Sequence, residues 1–315
     1  MHDVIIIGGG ISGFTAAMYA GRLGLKTLIV EAGLIGGVIT TTNIVENWPG
    51  IKKISGEELA MSVVEHAKEY DIDIETSLIK KVKIGGKKGC FTVSSGSKTF
   101  ESKTVIFATG AKHKKHPAKN ADKFENKGVH YCALCDGPIY RGKKVAVIGG
   151  SDSAAKEALF LSEFASEVHM LVRGEKLLGE KINNERLTKN KKITVHTNTN
   201  IVEMKGDLLL DTLVIEGKNK RTKEFKVHAA FVAIGIIPLS ELAEGIGVKL
   251  NKKKEIIIDR TASTNIKGVF ACGDVTDTKF KQAITGAGEA VTASYWAYAY
   301  VNDPEYVCPR GEEKP

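Results

Sequence analysis

The sequence predicts an α/β protein with two parallel-sheet domains, and three observations carry that expectation. The apolar run Val4–Ile7 leads directly into Gly8, Gly10 and Gly13 at G-x-G-x-x-G spacing. The same order of features returns at Val145–Ile148 followed by Gly149 and Gly150. The chain is 315 residues long, more than one hydrophobic core ordinarily supports, so two domains are the default.

The first unit reads as strand, glycine turn, helix and strand. Four consecutive apolar residues at Val4–Ile7 suit a strand buried on both faces of a parallel sheet. Gly8 permits the tight turn, Gly10 lets backbone amides reach a pyrophosphate, and Gly13 lets the next helix lie close to the strand. That helix carries the small residues Ala16, Ala17, Ala20 and Gly21. The second strand, Thr27–Val30, ends in Glu31, placed to accept from ribose hydroxyls. Strand, three glycines, helix and terminal acid together point to an adenine dinucleotide.

The second unit runs from Val145–Ile148 through Gly149, Gly150 and Ser151 to Ala154, at the packing position of a helix that continues to Leu161. Ser151 stands where the second glycine is expected, and its side chain hinders approach to phosphate. Two units suggest two different dinucleotides. Glu31 repels a 2′-phosphate and suits a bare ribose, whereas the strand Val168–Val172 ends in Arg173 with Lys176 nearby, cations that pair with a 2′-phosphate and favour NADPH over NADH. A surface Arg and Lys in a basic protein also need no ligand at all.

Cys132 and Cys135 form a C-x-x-C followed by Asp136 and Gly137. Structural zinc would need a second Cys or His pair, and His130 is the nearby histidine. Two unreacted buried thiols are a further reading. A redox dithiol is favoured because the spacing closes a small disulfide ring and a lowered thiol pKa makes a competent thiolate. Asp136 is then the adjacent proton donor and acceptor.

Composition agrees with a folded globular chain: 43 % hydrophobic, 26 % charged, 7 prolines. No apolar run reaches the roughly 18 to 20 residues that cross a bilayer, and Met1-His2-Asp3 enters a strand-like run without a basic leader, so a cytoplasmic protein without membrane association is expected. The net charge of +8 comes mostly from scattered lysines such as Lys112, Lys114, Lys115, Lys252, Lys253 and Lys254. No basic stripe is interleaved with aromatics, so nucleic acid is not an expected partner, while an acidic partner or phosphate-bearing cofactor suits the charge. Five cysteines, Cys90, Cys132, Cys135, Cys272 and Cys308, are an odd number without framework spacing, against a secreted disulfide scaffold.

Taken together, these residues resemble the low-molecular-weight thioredoxin reductases of bacteria and archaea, which are FAD-dependent pyridine nucleotide-disulfide oxidoreductases. The likeness runs essentially end to end. It includes Cys132-Ala133-Leu134-Cys135-Asp136-Gly137, Thr40–Gly50 with Glu46-Asn47-Trp48-Pro49-Gly50, Ala108-Thr109-Gly110, Phe231–Gly235, Gly268–Val275 with Gly273-Asp274, and Gln282-Ala283-Ile284-Thr285. The resemblance implies two Rossmann-like dinucleotide-binding domains, the second inserted into the first: an FAD-binding domain of 1–112 and 243–315, and an NAD(P)H-binding domain of 113–242 carrying the redox pair. It implies FAD at Gly8, Gly10, Ile11, Ser12, Gly13, Glu31, Gly37, Asn47, Gly110 and Gly273, with Asp274 on the ribityl chain and Gln282 and Ala283 against the flavin. NADPH falls to Gly149, Ser151, Ser153, Ala154, Arg173 and Lys176. The resemblance further implies a homodimer, a swing of one domain relative to the other, and a thioredoxin or thioredoxin-like partner. Cys135 faces the flavin, Asp136 handles the proton and Cys132 attacks the incoming disulfide; no metal is implied.

Four departures bear on that transfer. The family's His-Arg-Arg segment is here Val172-Arg173-Gly174, with Leu178 in place of a later arginine, and Ser151 replaces a glycine. These leave NADH, ferredoxin or a deazaflavin open as donor, and a flavin redox sensor without turnover as a different class of function. Val38 replaces a glutamine near FAD, and Pro138-Ile139 replace two aromatics that help dock thioredoxin. His113 and His116, near Pro117, read as solvated connector. Tyr295, Trp296, Tyr298 and Tyr300 read as a packing or dimer face of a helix beginning by Gly288. Cys90, Cys272 and Cys308 read as bystanders, although oxidation of Cys272 would fall within the flavin motif.

Overall fold

The computed structural model describes residues 1–85 and 90–303. The chain divides into two compact units, 1–112 with 237–315, and 113–236.

In the first unit, β1 (His2–Ile7) leads through α1 (Ile11–Arg22) to β2 (Thr27–Glu31), then α2 (Gly56–Lys68), β3 (Ile72–Thr76), β4 (Lys81–Ile84), β5 (Phe91–Ser94) and β6 (Thr99–Phe107). The sheet order is β3-β2-β1-β6-β5-β4. β1 lies parallel to β2, with Ile5 opposite Leu28, and parallel to β6, with Ile6 opposite Ile106. Its residues alternate between two cores. Val4 and Ile6 join Phe14, Ala16, Ala17 and Ala20 of α1, while Ile5 and Ile7 join Phe91, Val105 and Phe107. A strand covered on both faces has no polar side, which explains the unbroken apolar run. α2 starts with a reciprocal capping box between Ser55 and Glu58.

The chain leaves through β7 (Ala111–His113) and builds the second unit. There β8 (Val129–His130), α3 (Ala133–Asp136), β9 (Lys144–Ile148), α4 (Asp152–Leu161), β10 (Glu167–Leu171), α5 (Lys181–Lys189) and β11 (Ile193–His196) precede the antiparallel β12 (Asn200–Gly206), β13 (Leu210–Glu216) and β14 (Thr222–Lys226), and β15 (Ala229–Val232) completes the parallel sheet β11-β10-β9-β15-β8. The chain returns through β16 (Ile236–Pro238) and α6 (Glu241–Glu244), and β17 (Val269–Ala271) joins β6.

The return falls at 236/237 and not at the expected 242/243. The intervening residues are already tied to the first unit: Leu239 N donates to Gly110 O at 3.0 Å, Thr109 Oγ1 to Leu239 O at 2.6 Å, and Ser240 Oγ to Lys254 O at 2.6 Å. The last helix, α7 (Ala283–Val301), has begun by Gly288, as expected, and starts at Ala283. Its Ala290, Ala293 and Ala297 are fully buried in the same core as the alanines of α1, and Ser294 Oγ donates to Ala16 O at 2.9 Å. Tyr295, Trp296 and Tyr298 are exposed. No helix among the described residues is long and apolar enough to cross a membrane.

His113, His116, His130, His169 and His196 all lie within 113–236, and burial pulls each below its ordinary pKa, for His130 against Asp136 and for His169 against Glu167. His169 Nδ1 and His196 Nε2 are 3.0 Å apart across β10 and β11. Each imidazole is harder to protonate folded than unfolded. The stability this gives is whole above the unfolded value of about 6.5 and is lost as pH falls through it. Amide-exchange protection in β9, β10 and β11 is therefore expected to fall more between about pH 7.5 and about pH 5.5 than in β1 and β6, after correction for intrinsic rates. An equal loss in both units would remove the histidines as its cause.

Candidate active site

The two glycine turns use one geometry. Gly8 has φ +110°, and a Cβ there would stand 2.3 Å from Ala108 O; Gly149 has φ +148°, and its Cβ would stand 2.2 Å from Ala233 O. Only glycine fits where a backbone crosses so closely. A Cβ on Gly13 would lie 1.8 Å from Gly8 O, which is why α1 can begin against the end of β1.

In the first unit, Gly10 caps α1 without a side-chain bond, and no acid occupies the first turn. First-turn N–H groups without a side-chain cap, together with the positive end of the helix dipole, make an anion site. Glu31 closes the turn: its Oε2 accepts from Gly9 N at 2.5 Å and its Oε1 from Gly33 N at 2.6 Å. Gly37 lies beside Gly10, where its Cβ would come 2.8 Å from Gly10 Cα. The N-terminus of α7, capped by Gln282, likewise has no side-chain cap and no acid in its first turn. It meets α1 at Ser12, whose Oγ would lie 2.6 Å from a Cβ on Gly273 and 2.4 Å from one on Gly286. Asn47 Nδ2 donates to Gln282 Oε1 at 2.9 Å, and Ile11 shares an apolar cluster with Val45, Ala283 and Ala287. Burial pushes the Asp274 carboxyl up, with Lys281 opposing. The structure thus gathers Gly10, Ile11, Ser12, Gly37, Asn47, Gly273, Gln282 and Ala283 around two uncapped helix ends, a donor set that fits an anionic dinucleotide.

One residue of this region was not anticipated. Glu289 on α7 accepts from Gly273 N at 2.8 Å and also bonds Thr276 and Thr278, holding the Gly273–Thr278 segment. A lone acid in a helix rich in small and apolar residues is its trace in the sequence.

In the second unit, Ser151 caps α4, its Oγ accepting from Ala154 N at 3.5 Å. Asp152 in the first turn accepts from Glu180 N at 2.8 Å and Asn183 Nδ2 at 2.9 Å and pairs with Lys156 at 2.9 Å. Burial raises its pKa, and these partners more than offset that, leaving it lowered and charged. This helix end is therefore partly satisfied and carries an acid where α1 has neither. Ser153, Arg173 and Lys176 are exposed, as is Leu178, whose N donates to Gly150 O at 2.7 Å.

Cys132 and Cys135 are joined as a disulfide. Cys132 caps α3, its Sγ accepting from Cys135 N at 3.0 Å; Cys135 is exposed and Cys132 half-buried. Asp136 Oδ2 lies 3.1 Å from His130 Nδ1. A Cβ on Gly137 would come 2.9 Å from Leu161 Cδ2, so the turn sits directly on α4.

Three expectations need correction. His113 and His116 are half-buried and engaged, not solvated: His113 stacks on Tyr131 at 6.3 Å between centroids, and His116 Nδ1 accepts from Ala118 N at 3.1 Å. Cys272 is fully buried and burial pushes its thiol up, so it stays a protonated, inaccessible group and not an oxidation site. Cys90 is not a free thiol, and Cys308 lies outside the described residues.

A family model described as pyridine nucleotide-disulphide oxidoreductase matches residues 2–290. The thioredoxin reductase of Bacillus subtilis (strain 168) is 36 % identical over 310 residues, covering 96 % of each chain. The thioredoxin reductase structure from Lactococcus lactis matches with a TM-score of 0.92 at 34 % identity, over 96 % of this chain and 99 % of that one. The structure from T. acidophilum, also a thioredoxin reductase, matches at 0.90 and 31 %, over 95 % and 98 %. With paired glycine turns and a disulfide-bonded C-x-x-C inside the matched span, the chain belongs to the pyridine nucleotide-disulphide oxidoreductase family.

Proposed function

We propose that the protein is a thioredoxin-disulfide reductase that passes electrons from NADPH through FAD and the Cys132–Cys135 disulfide to thioredoxin or a thioredoxin-like protein. The observation that carries the reading is the disulfide itself, with exposed Cys135 and an adjacent carboxylate, in a chain whose other unit presents two uncapped helix ends. FAD would be held by the turn from Gly8 to Gly13 with Glu31, Gly37, Asn47 and Gly110, and by Gly273, Asp274, Gln282 and Ala283; when bound it supplies the electron pair that opens the disulfide. Asp136 delivers a proton to one of the separated sulfurs. Cys132 then attacks the partner's disulfide, and Cys135 resolves the mixed disulfide, restoring the Cys132–Cys135 bond and releasing the partner's dithiol. A homodimer is the assembly in keeping with the exposed Tyr295, Trp296 and Tyr298 on α7.

On this reading Arg173 and Lys176 hold the 2′-phosphate of NADPH. A second reading of the donor is favoured by three features of the α4 end. The cap from Ser151, the charge on Asp152 and exposed Leu178 leave the α4 end a poorer anion site than the α1 end, as a donor other than NADPH, namely NADH, ferredoxin or a deazaflavin, would allow.

Two experiments test these statements. Cys135→Ser is expected to retain flavin and to lose thioredoxin reduction by at least about a thousandfold, because a thiolate nucleophile is removed outright; retained turnover would sink the dithiol route. Anaerobic bleaching of the flavin band near roughly 450 nm separates the donors. NADPH is expected to bleach it, and Arg173→Ala to raise the NADPH requirement about tenfold while leaving NADH unchanged. Bleaching by neither nicotinamide, with an intact flavin spectrum, would rule out the nicotinamide route.

A further inference from the structure

Beside the disulfide lies a buried imidazole that the reaction outlined above does not use. His130 ends β8 two residues before Cys132, and its side chain is 5 % exposed. Phe231 of β15 stacks on the ring at 5.4 Å between centroids, and Tyr140 meets it edge-on at 5.4 Å. Held on both sides, the ring has little freedom to turn. Its two nitrogens face two polar groups. Nε2 is 2.8 Å from Tyr140 Oη. Nδ1 is buried and makes no aligned hydrogen bond, but lies 3.1 Å from Asp136 Oδ2.

The protonation states at the two ends fix what lies between. Burial pushes the Tyr140 phenol up, with Asp136 adding to it, so it remains a hydroxyl. Burial pulls His130 down more than Asp136 lifts it, so the imidazole is neutral near pH 7 and has one N–H. If Tyr140 donates to Nε2, the hydrogen stands on Nδ1 and faces the carboxylate. The other tautomer would set a lone pair against a carboxylate oxygen at 3.1 Å. Phe231, whose ring stacks on the imidazole, is apolar and adds no competing charge.

We propose that His130 is a positioning residue for the dithiol reaction: Tyr140 locks it in the tautomer that presents Nδ1–H to Asp136, and this fixes the orientation of that carboxyl group beside Cys135. The inference rests on the reading of Asp136 as proton carrier. In that step the S–S bond breaks as two electrons arrive from the reduced flavin. One sulfur takes a proton that Asp136 has first accepted from solvent and becomes a thiol, the other is left as thiolate, and the carboxylate restored on Asp136 meets the His130 N–H. Misdirection of a reacting group by about 1 Å can cost as much as a hundredfold in rate, so the orientation has kinetic weight.

Amide side chains separate the two nitrogens of the ring. His130→Asn places a donor near the position of Nδ1, and His130→Gln places its amide near that of Nε2. The rate of dithiol transfer to thioredoxin is expected to fall about tenfold in His130→Gln, to stay within about threefold of the parent in His130→Asn, and to fall about threefold in Tyr140→Phe, with the KM for thioredoxin within about twofold throughout. Flavin content checks folding, and Tyr140→Phe, which removes one oxygen from a half-buried side chain, keeps the test decisive if a His130 variant misfolds. Equal rates in Gln and Asn variants, or no loss in Tyr140→Phe, would overturn the proposal while a slow Asp136→Asn leaves the proton-carrier reading standing. A fully active Asp136→Asn would instead remove that reading and the present one with it.

Discussion

The contact between Gly13 and the carbonyl of Gly8, where a Cβ would stand 1.8 Å away, presses α1 onto the end of β1, and much of the first unit depends on it. A helix dipole acts over about its first turn, so an uncapped N-terminus serves an anion only if the backbone can come right up to it. The same closeness forces small residues along α1, and Ala16, Ala17 and Ala20 are wholly buried. α7 fits against them through its own alanines and brings its N-terminus to Ser12, where Gly273 and Gly286 leave no room for side chains. One packing constraint therefore delivers two helix ends to one place.

The second unit repeats the turn and changes the helix end. A Ser cap typically stabilises a helix by about 1 kcal/mol, and an acid in the first turn by a few tenths more. Both effects favour α4 as a helix and oppose its use as a phosphate cradle, since the cap occupies a donor and Asp152 repels an anion. On the proposed reading, discrimination between nicotinamides rests on Arg173 and Lys176, which are exposed and would act through water and salt. Stability of the fold and strength of the site are drawn from the same backbone groups, and the two units divide them differently.

What could be read from the sequence was what local geometry dictates. β1, β2, β9 and β10 and the glycine positions follow from runs of a few residues whose meaning does not depend on distant partners. The presence of α7 by Gly288 was legible, but the need for glycine at 286 was not, because it is set by Ser12, far away in sequence. The 236/237 crossing depends on bonds from Leu239 to Gly110 and from Ser240 to Lys254, which composition does not encode. The place of His130 against Asp136 and Tyr140 arises because the chain turns through α3 and the following 3₁₀ turn at 137–140, so residues six and ten positions on come back to one imidazole.

That return also explains the rigidity of the disulfide's base. Ala133 is buried and Gly137 rests on Leu161 and Phe164, so the turn holding the two cysteines is fastened at both ends to the core of the second unit. A base fastened in this way holds the cysteine pair in place without local unfolding, and little ordering entropy is left to oppose the encounter with a partner's disulfide. The side chains free to meet a partner are then those just beyond the base, Pro138 and Ile139, the latter 73 % exposed. An aliphatic contact there is shape-selective but lacks the directional preference of aromatic stacking. On the proposed reading, the chemistry is set by residues packed beneath the disulfide, and the choice among partner disulfides by this apolar shoulder above it.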